Sequence, residues 1–134
     1  MIKKTLISLL FLNLYFACYT VEFKPVVVGD EQGIEAYEDG TCVGKILYVI
    51  GYTGNAYISK LHVETKVQKK GIGTQLLKKA LEDLKARIIR RVTLIPYSFT
   101  KEIPRTKLIA FYERFGFVLE HYDRDWMSLE LQYD

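Results

Sequence analysis

The sequence has few of the residues that build metal centres or disulfide frameworks. Its two cysteines, Cys18 and Cys42, have neither the spacing of a metal site nor the number found in a disulfide-stapled domain. Internal repeats and low-complexity tracts are missing, which excludes a repeat array and a disordered chain. The formal net charge of +3 is too small to indicate nucleic-acid binding by itself. We therefore predict neither a metal ion nor a nucleic acid as partner.

The first residues differ in composition from the rest of the chain. Lys3 and Lys4 precede an apolar run from Thr5 to Cys18, a pattern typical of a secretory signal peptide or an anchor. The run is shorter than a segment that spans a bilayer, and a buried first strand or helix is the alternative interpretation. We divide the chain into residues 1–20, a leader or first structural element, and residues 21–134, one domain. With 49% hydrophobic residues, this chain can bury a sizeable core.

Hydrophobic periodicity and turn residues predict the order β-β-β-β-α-β-α-β-β, a mixed α/β (α+β) fold with a mainly antiparallel sheet. The predicted strands are Val21–Val28, Ile34–Tyr37, Thr41–Tyr52, Ala56–Val63 and Val92–Ile95, with a final hairpin of Phe117–Tyr122 and Trp126–Gln132. One amphipathic helix follows Gly71 and is predicted to bury a stripe made of Ile72, Leu76, Ala80, Leu84 and Ile88. A second helix is predicted over Arg105–Phe115, and Gly116 is suited to ending it.

The turn before the first helix has the properties of an anion site. It reads Gln-Lys-Lys-Gly-Ile-Gly from Gln68 to Gly73, and its two glycines let backbone approach a ligand closely. The N–H groups at the start of a helix have no intrahelical partner and point at whatever lies there. Lys69 and Lys70 add positive charge, although both could equally be solvated lysines. The turn therefore predicts a phosphate or pyrophosphate site.

Two motifs in this order resemble those of the GNAT superfamily of N-acetyltransferases. Gln68-x-x-Gly71-x-Gly73 matches the Gln/Arg-x-x-Gly-x-Gly/Ala acetyl-CoA signature of that family, with Leu61-x-Val63 at the family's spacing before it. The stretch from Leu108 to Phe117, LIAFYERFGF, looks like its second motif, Phe/Leu-Tyr-Glu-Lys-x-Gly-Phe. The resemblance covers about residues 34–132. This chain is predicted to lack the helical pair that usually follows the first strand in the family.

The resemblance implies how acetyl-CoA, the co-substrate, would be held. Two neighbouring strands splay apart in the family, and the pantetheine arm lies between them. The positions that it assigns to the cofactor are Leu61, Val63, Gln68, Lys69, Lys70, Gly71, Ile72, Gly73 and Thr74. Backbone groups of Leu61 and Val63 would bind the pantetheine amides, and the N–H groups of the turn would bind the pyrophosphate.

The resemblance also implies a catalytic role for Tyr112, and the end of the fourth strand offers a second candidate. The hydroxyl of Tyr112 would donate a proton to the departing CoA thiolate, whereas packing as a core tyrosine is the alternative. Tyr57 and Ser59 stand where the family often has an acid/base side chain, and neither is a good base at neutral pH. Glu64, at the strand end, is the predicted catalytic carboxylate, and a water chain that serves a partly deprotonated amine is the alternative. Strand alternation is expected to put His62 on the face opposite Tyr57.

These features predict an N-acyltransferase that moves an acetyl group to a primary amine by direct transfer in a ternary complex. A CoA-binding module without catalysis is the alternative. A nucleic-acid-binding helix is disfavoured because acidic residues interrupt its lysines and arginines. The expected acceptor is a small-molecule amine or a protein or peptide amine, and the chain would act as a monomer or homodimer. The reaction implies a cytosolic location, whereas the leader suggests export or membrane association.

Overall fold

In the computed structural model, which describes residues 20–98 and 103–133, the chain forms one seven-stranded sheet and two α-helices. Most of the predicted leader, residues 1–19, lies outside the described residues. The strands are β1 (Val21–Val28), β2 (Glu31–Glu38), β3 (Thr41–Ile50), β4 (Asn55–Val63), β5 (Arg91–Leu94), β6 (Val118–Leu119) and β7 (Met127–Glu130). The helices are α1 (Ile72–Ala86) and α2 (Arg105–Glu113), and a 3₁₀ turn covers Thr65–Lys70. This order confirms the predicted mixed fold.

The sheet is antiparallel except at one place. Its strand order is β1-β2-β3-β4-β5-β7-β6, and only the β4–β5 pair among the described strands is parallel. A parallel pair needs a crossover connection, which α1 supplies. A tight turn at Gly29 and Asp30 joins β1 directly to β2, so no helical pair stands between these strands. The observed β2 is longer than predicted, and the final hairpin is shorter.

Both helices pack on the same face of the sheet. On this face, the Tyr48 hydroxyl donates to Asp83 of α1 at 2.5 Å, and the ammonium of Lys79 lies over the Phe23 ring. A Cβ built on Gly116, after α2, would lie 3.1 Å from Leu129 on the same face. The opposite face carries neither helix. Among the described residues, no helix is long and apolar enough to span a membrane.

A bulge in β4 changes which side chains share a face. Tyr48 of β3 pairs with Ile58 and the preceding Leu47 pairs with Lys60, so Ser59 is an extra residue in β4. After it, Leu61 joins Ile58 on the helix-covered face. The β3 residues that pair with His62 and with Tyr57 point to the same face of the sheet, so His62 and Tyr57 share that face. The prediction that His62 faces away from Tyr57 is therefore wrong.

The first helix, α1, ends at Ala86, before the last residue of the stripe that was predicted to be buried. Ile88 lies outside α1 with φ of 60° and is 71% exposed, so its predicted burial is wrong. The Ile89 N–H donates to the Leu84 carbonyl at 3.1 Å, and the Ile88 N–H donates to the Lys85 carbonyl at 3.1 Å. These bonds close the helix with a left-handed residue. The closure rotates the chain so that Ile89 enters the core in place of Ile88.

Candidate active site

Two adjoining cavities lie where β4 and β5 separate. The two strands pair from Asn55 to Ile58 of β4, and β4 then continues to Val63 beyond the end of β5. The first cavity, of about 190 Å³, is lined by Leu61, Val63, Gln68, Gly73, Ile103, Lys107, Leu108, Phe111 and Tyr112. The second, of about 330 Å³, is lined by Tyr57, Ile58, Ser59, Lys60, Leu61, Leu94, Ile95, Tyr97 and Tyr112.

Tyr112 and Leu61 line both cavities and so mark the passage between them. Tyr112 is 6% exposed, and its ring makes edge contacts with Phe111 at 5.2 Å and with Phe117 at 5.7 Å. Its hydroxyl makes no hydrogen bond with any residue that the structure describes. Burial raises the pKa of Tyr112 above that of a free tyrosine, so the hydroxyl keeps its proton throughout the neutral range.

The turn from Gln68 to Gly73, called here the glycine turn, borders the first cavity and has the geometry of an anion-binding site. Gly71 has φ of +78°, which brings the chain from the 3₁₀ turn into α1. The side-chain amide of Gln68 donates to the Val63 carbonyl at 3.0 Å and so ties the turn to β4. The first turn of α1 contains no acidic residue, so its N–H groups are not opposed by a negative side chain.

The other predicted cofactor residues differ in what they offer at this turn. Ile72 is 1% exposed, so its side chain belongs to the core and only its backbone N–H can meet a ligand. The Lys70 ammonium lies 3.1 Å from the Glu38 carboxylate, in a separate cavity from Gln68 and Gly73. Lys69 belongs to the turn, but its side chain lies outside what the structure describes. Thr74 follows Gly73 in the first turn of α1.

The predicted acid/base residues are not grouped around Tyr112. The Glu64 carboxylate is half exposed and lies 3.6 Å from His62 Nε2, and neither residue lines the two cavities. Tyr57 and Ser59 do line the second cavity, but the Ser59 hydroxyl donates to the Leu47 carbonyl at 3.3 Å. Among the described residues, the walls of both cavities therefore hold no carboxylate and no imidazole.

Sequence reasoning did not identify several residues of the cavity walls. Phe111 and Leu108 line the first cavity and belong to the apolar side of α2, which the periodicity did show. Lys107 is the one cation in that lining, and no local pattern marks it. Ile95 and Tyr97 flank Pro96 in the second cavity, where the sequence indicated only a strand end and a loop. Groups of three or more metal-ligating side chains are absent from the described part of the chain.

A family model places this architecture among known proteins. The model for the acetyltransferase (GNAT) family matches residues 10–117, which is most of the chain. The chain belongs to the GNAT acetyltransferase family. Streptothricin acetyltransferase A of Bacillus subtilis (strain 168) is 35% identical to it over 71 residues, which cover 51% of this chain and 41% of that relative. The chain thus matches less than half the length of this curated relative.

Solved GNAT structures have the same fold. An acetyltransferase of Elizabethkingia anophelis with acetyl-CoA bound superposes with a TM-score of 0.67 at 15% identity, covering 83% of this chain and 98% of that one. The PaiA N-acetyltransferase of Thermoplasma acidophilum, in complex with coenzyme A, gives a TM-score of 0.62 at 24% identity. That match covers 76% of this chain and 62% of the other. At these identities the likeness establishes the fold.

Proposed function

We propose that this GNAT protein transfers an acetyl group from acetyl-CoA to a primary amine by direct attack in a ternary complex. The observation that carries the proposal is that Tyr112 and Leu61 line both cavities. A thioester held in the first cavity would therefore meet an amine that enters from the second. Membership of the acetyltransferase family and relatives with bound CoA or acetyl-CoA support this choice of donor.

The described residues fit the chemical parts of acetyl-CoA. Apolar side chains such as Val63 and Phe111 line the first cavity and suit the pantetheine arm. Beyond Ile58, β4 has no β5 partner, which leaves backbone N–H and C=O groups for the pantetheine amides. The N–H groups after Gly71 suit the pyrophosphate. The ammonium of Lys70, already paired with Glu38, would contribute less than an unpaired lysine.

The transfer itself needs one proton at the sulfur and the loss of one from the amine. The amine nitrogen forms a bond to the thioester carbonyl carbon, and the C–S bond breaks as the tetrahedral intermediate collapses. Tyr112 donates its proton to the departing sulfur, and solvent returns a proton to the tyrosinate. Because burial raises the pKa of Tyr112, its hydroxyl stays protonated at neutral pH but is a weak acid.

The cavity walls offer no strong base among the described residues, so water receives the amine proton. The fraction of neutral amine then limits the rate, and kcat/KM should rise with pH towards the pKa of the amine, about 10 for an alkylamine. A covalent route through Cys42 is not favoured. Its thiol lies 3.6 Å from the Glu35 carboxylate, lines neither cavity, and has a pKa that burial raises.

The test is a CoA-release assay with acetyl-CoA and a panel of primary amines, with the acetylated product identified by mass. Turnover of at least one amine class, with saturation in both substrates and no exchange of label in the absence of acceptor, would support direct transfer. A CoA-binding module without catalysis is the second candidate, which the missing base favours. Calorimetric binding of CoA with no turnover of any amine would support that candidate and contradict the first.

A further inference from the structure

A third cavity lies on the face of the sheet that carries neither helix. It has a volume of about 320 Å³ and is lined by Arg91, Thr93, Glu120, Tyr122, Asp123 and Trp126. The residues between β6 and β7 form one wall, and this connection is held in place. Trp126 N–H donates to the Asp123 carbonyl at 3.1 Å, and the Arg105 guanidinium of α2 donates to the Arg124 carbonyl. The cavity is thus part of the folded domain.

The third cavity lies next to the second along β5. Tyr57 lines the second cavity and Trp126 lines the third, and their ring centroids are 5.5 Å apart. Arg91 and Thr93 of β5 line the third cavity and Ile95, the residue after β5, lines the second, so a rise of 3.3 Å per residue separates the two cavities by roughly 7 to 13 Å. An extended acceptor with its amine near Tyr112 would lay its other end against Trp126.

The charges around the third cavity leave an excess of carboxylate. The Arg91 guanidinium is already shared, since it contacts Glu120 and lies 3.4 Å from Glu130. A hydrogen bond from Ser128 and the charge of Arg91 hold the pKa of Glu120 below its usual range, so that carboxylate stays ionised. Asp123 accepts a hydrogen bond from the Asp125 N–H at 3.1 Å, and no cationic side chain in the described part of the chain pairs with it.

We propose that the acceptor carries a second positive charge, distinct from the amine that is acetylated, and that this charge binds in the third cavity between Asp123 and the ring of Trp126. The proposal rests on the transfer proposed above and adds the substrate class. An aromatic face attracts a cation, and a carboxylate beside it adds to that attraction. An acceptor with a terminal carboxylate would find Arg91 already neutralised. Extended diamines and longer polyamine-like chains have the required form.

The kinetic test compares hexane diamine, hexylamine and aminohexanoate, which have the same chain length and differ in their far end. We expect kcat/KM to be about tenfold higher for the diamine than for hexylamine, after correction for its two amines, and lowest for aminohexanoate. Asp123→Asn should reduce the diamine preference to about threefold or less. Asp125→Asn removes the same charge outside the cavity wall and should keep the preference. Equal rates for the three amines, or equal effects of the two variants, would overturn the proposal.

A binding measurement separates this proposal from the reaction on which it rests. Trp126 is the one tryptophan in the sequence, so its fluorescence reports directly on the third cavity. With CoA bound, the diamine should change this fluorescence at a concentration at which hexanol, which carries no charge, does not. A selective change without transfer to any amine would overturn the proposed reaction while supporting the cationic site. Transfer without a selective change would overturn the cationic site alone.

Discussion

Replacing Tyr112 with phenylalanine tests whether the Tyr112 hydroxyl is catalytic or whether the residue serves only as a buried ring of the core. The substitution removes one oxygen and keeps the edge contacts with Phe111 at 5.2 Å and Phe117 at 5.7 Å. The hydroxyl has no hydrogen-bond partner among the described residues, so its loss leaves no buried group unpaired. We therefore expect the free energy of unfolding to change by less than about 1 kcal/mol.

The expected effect on turnover is much larger. Positioned acids and bases typically contribute 10²–10⁴-fold, and a phenol with a raised pKa belongs at the lower end of that range. A hundredfold fall in kcat corresponds to about 2.7 kcal/mol of lost transition-state stabilisation. The KM for acetyl-CoA should stay within about twofold, because the hydroxyl acts on the sulfur only as the C–S bond breaks.

Tyr48→Phe is the matched control for this prediction. Tyr48 is also buried, but its hydroxyl donates to Asp83 at 2.5 Å and it lies outside the two cavities at the β4–β5 opening. Losing a hydrogen bond to a carboxylate should cost about 1.5–3 kcal/mol of stability while leaving kcat unchanged. The two variants thus have opposite expected effects in thermal unfolding and in the CoA-release assay.

An acetyl donor with a better leaving group sharpens the test of Tyr112. An aryl thioester departs as a stable thiolate and needs no proton, so Tyr112→Phe should recover most of its rate with such a donor. A kcat of Tyr112→Phe within twofold of the parent protein would refute the proposed role and identify a core tyrosine. An equal loss of rate with both donors would also refute it, because the hydroxyl would then act elsewhere than on the sulfur.

Three further predictions concern stability and the base. A Cβ on Gly33 would lie 1.8 Å from the Ile46 carbonyl oxygen, so Gly33→Ala should break the β2–β3 pairing and lower the melting temperature by more than about 10 °C. The control for this variant is Gly40→Ala, where a Cβ meets nothing within 4 Å and the expected cost is only about 1–2 kcal/mol for the positive φ. Glu64→Gln should keep kcat within about threefold of the parent value, because the Glu64 carboxylate lies beside His62 and outside both cavities. A hundredfold fall in kcat with a flattened pH profile would instead identify Glu64 as the base. Burial raises the pKa of Tyr48 and Tyr112, so their contribution to stability is complete below about pH 10 and is lost above it; alkaline unfolding followed by circular dichroism should therefore begin near pH 10.

The element order and the conformation of the turn at Gly71 were predictable because they depend on local patterns. The glycine at position 71 must adopt a positive φ to enter α1, and the residue type shows this directly. The apolar spacing of α2 likewise indicated the apolar surroundings of Tyr112, whose ring contacts Phe111 and Phe117. Ile88 was mispredicted because helical periodicity takes no account of where a helix closes, and the closing hydrogen bonds select Ile89 for the core.

The bulge in β4 was not predictable from the sequence. The run from Ala56 to Val63 contains no glycine or proline to mark an extra residue, so simple alternation gave the wrong face for His62. The pairing of Lys70 with Glu38 was also hidden, because the two residues are 32 positions apart and meet only through the fold. Long-range contacts of this kind also create the third cavity, whose walls come from β5 and from the β6–β7 connection.

In the proposed reaction, the two faces of the sheet separate donor recognition from acceptor recognition. The pairing of β4 with β5 stops at Ile58, just before the bulge at Ser59, and Pro96, which has no N–H group, lies two residues after the end of β5. The two strands therefore part at one point. Both helices occupy one face, and the glycine turn and the first cavity lie with them. In that reaction the acceptor would reach Tyr112 from the other face, which Tyr57 and Trp126 line. Substitutions in α2 should therefore alter the use of acetyl-CoA, whereas substitutions in β5 and the β6–β7 connection should alter which amine is chosen.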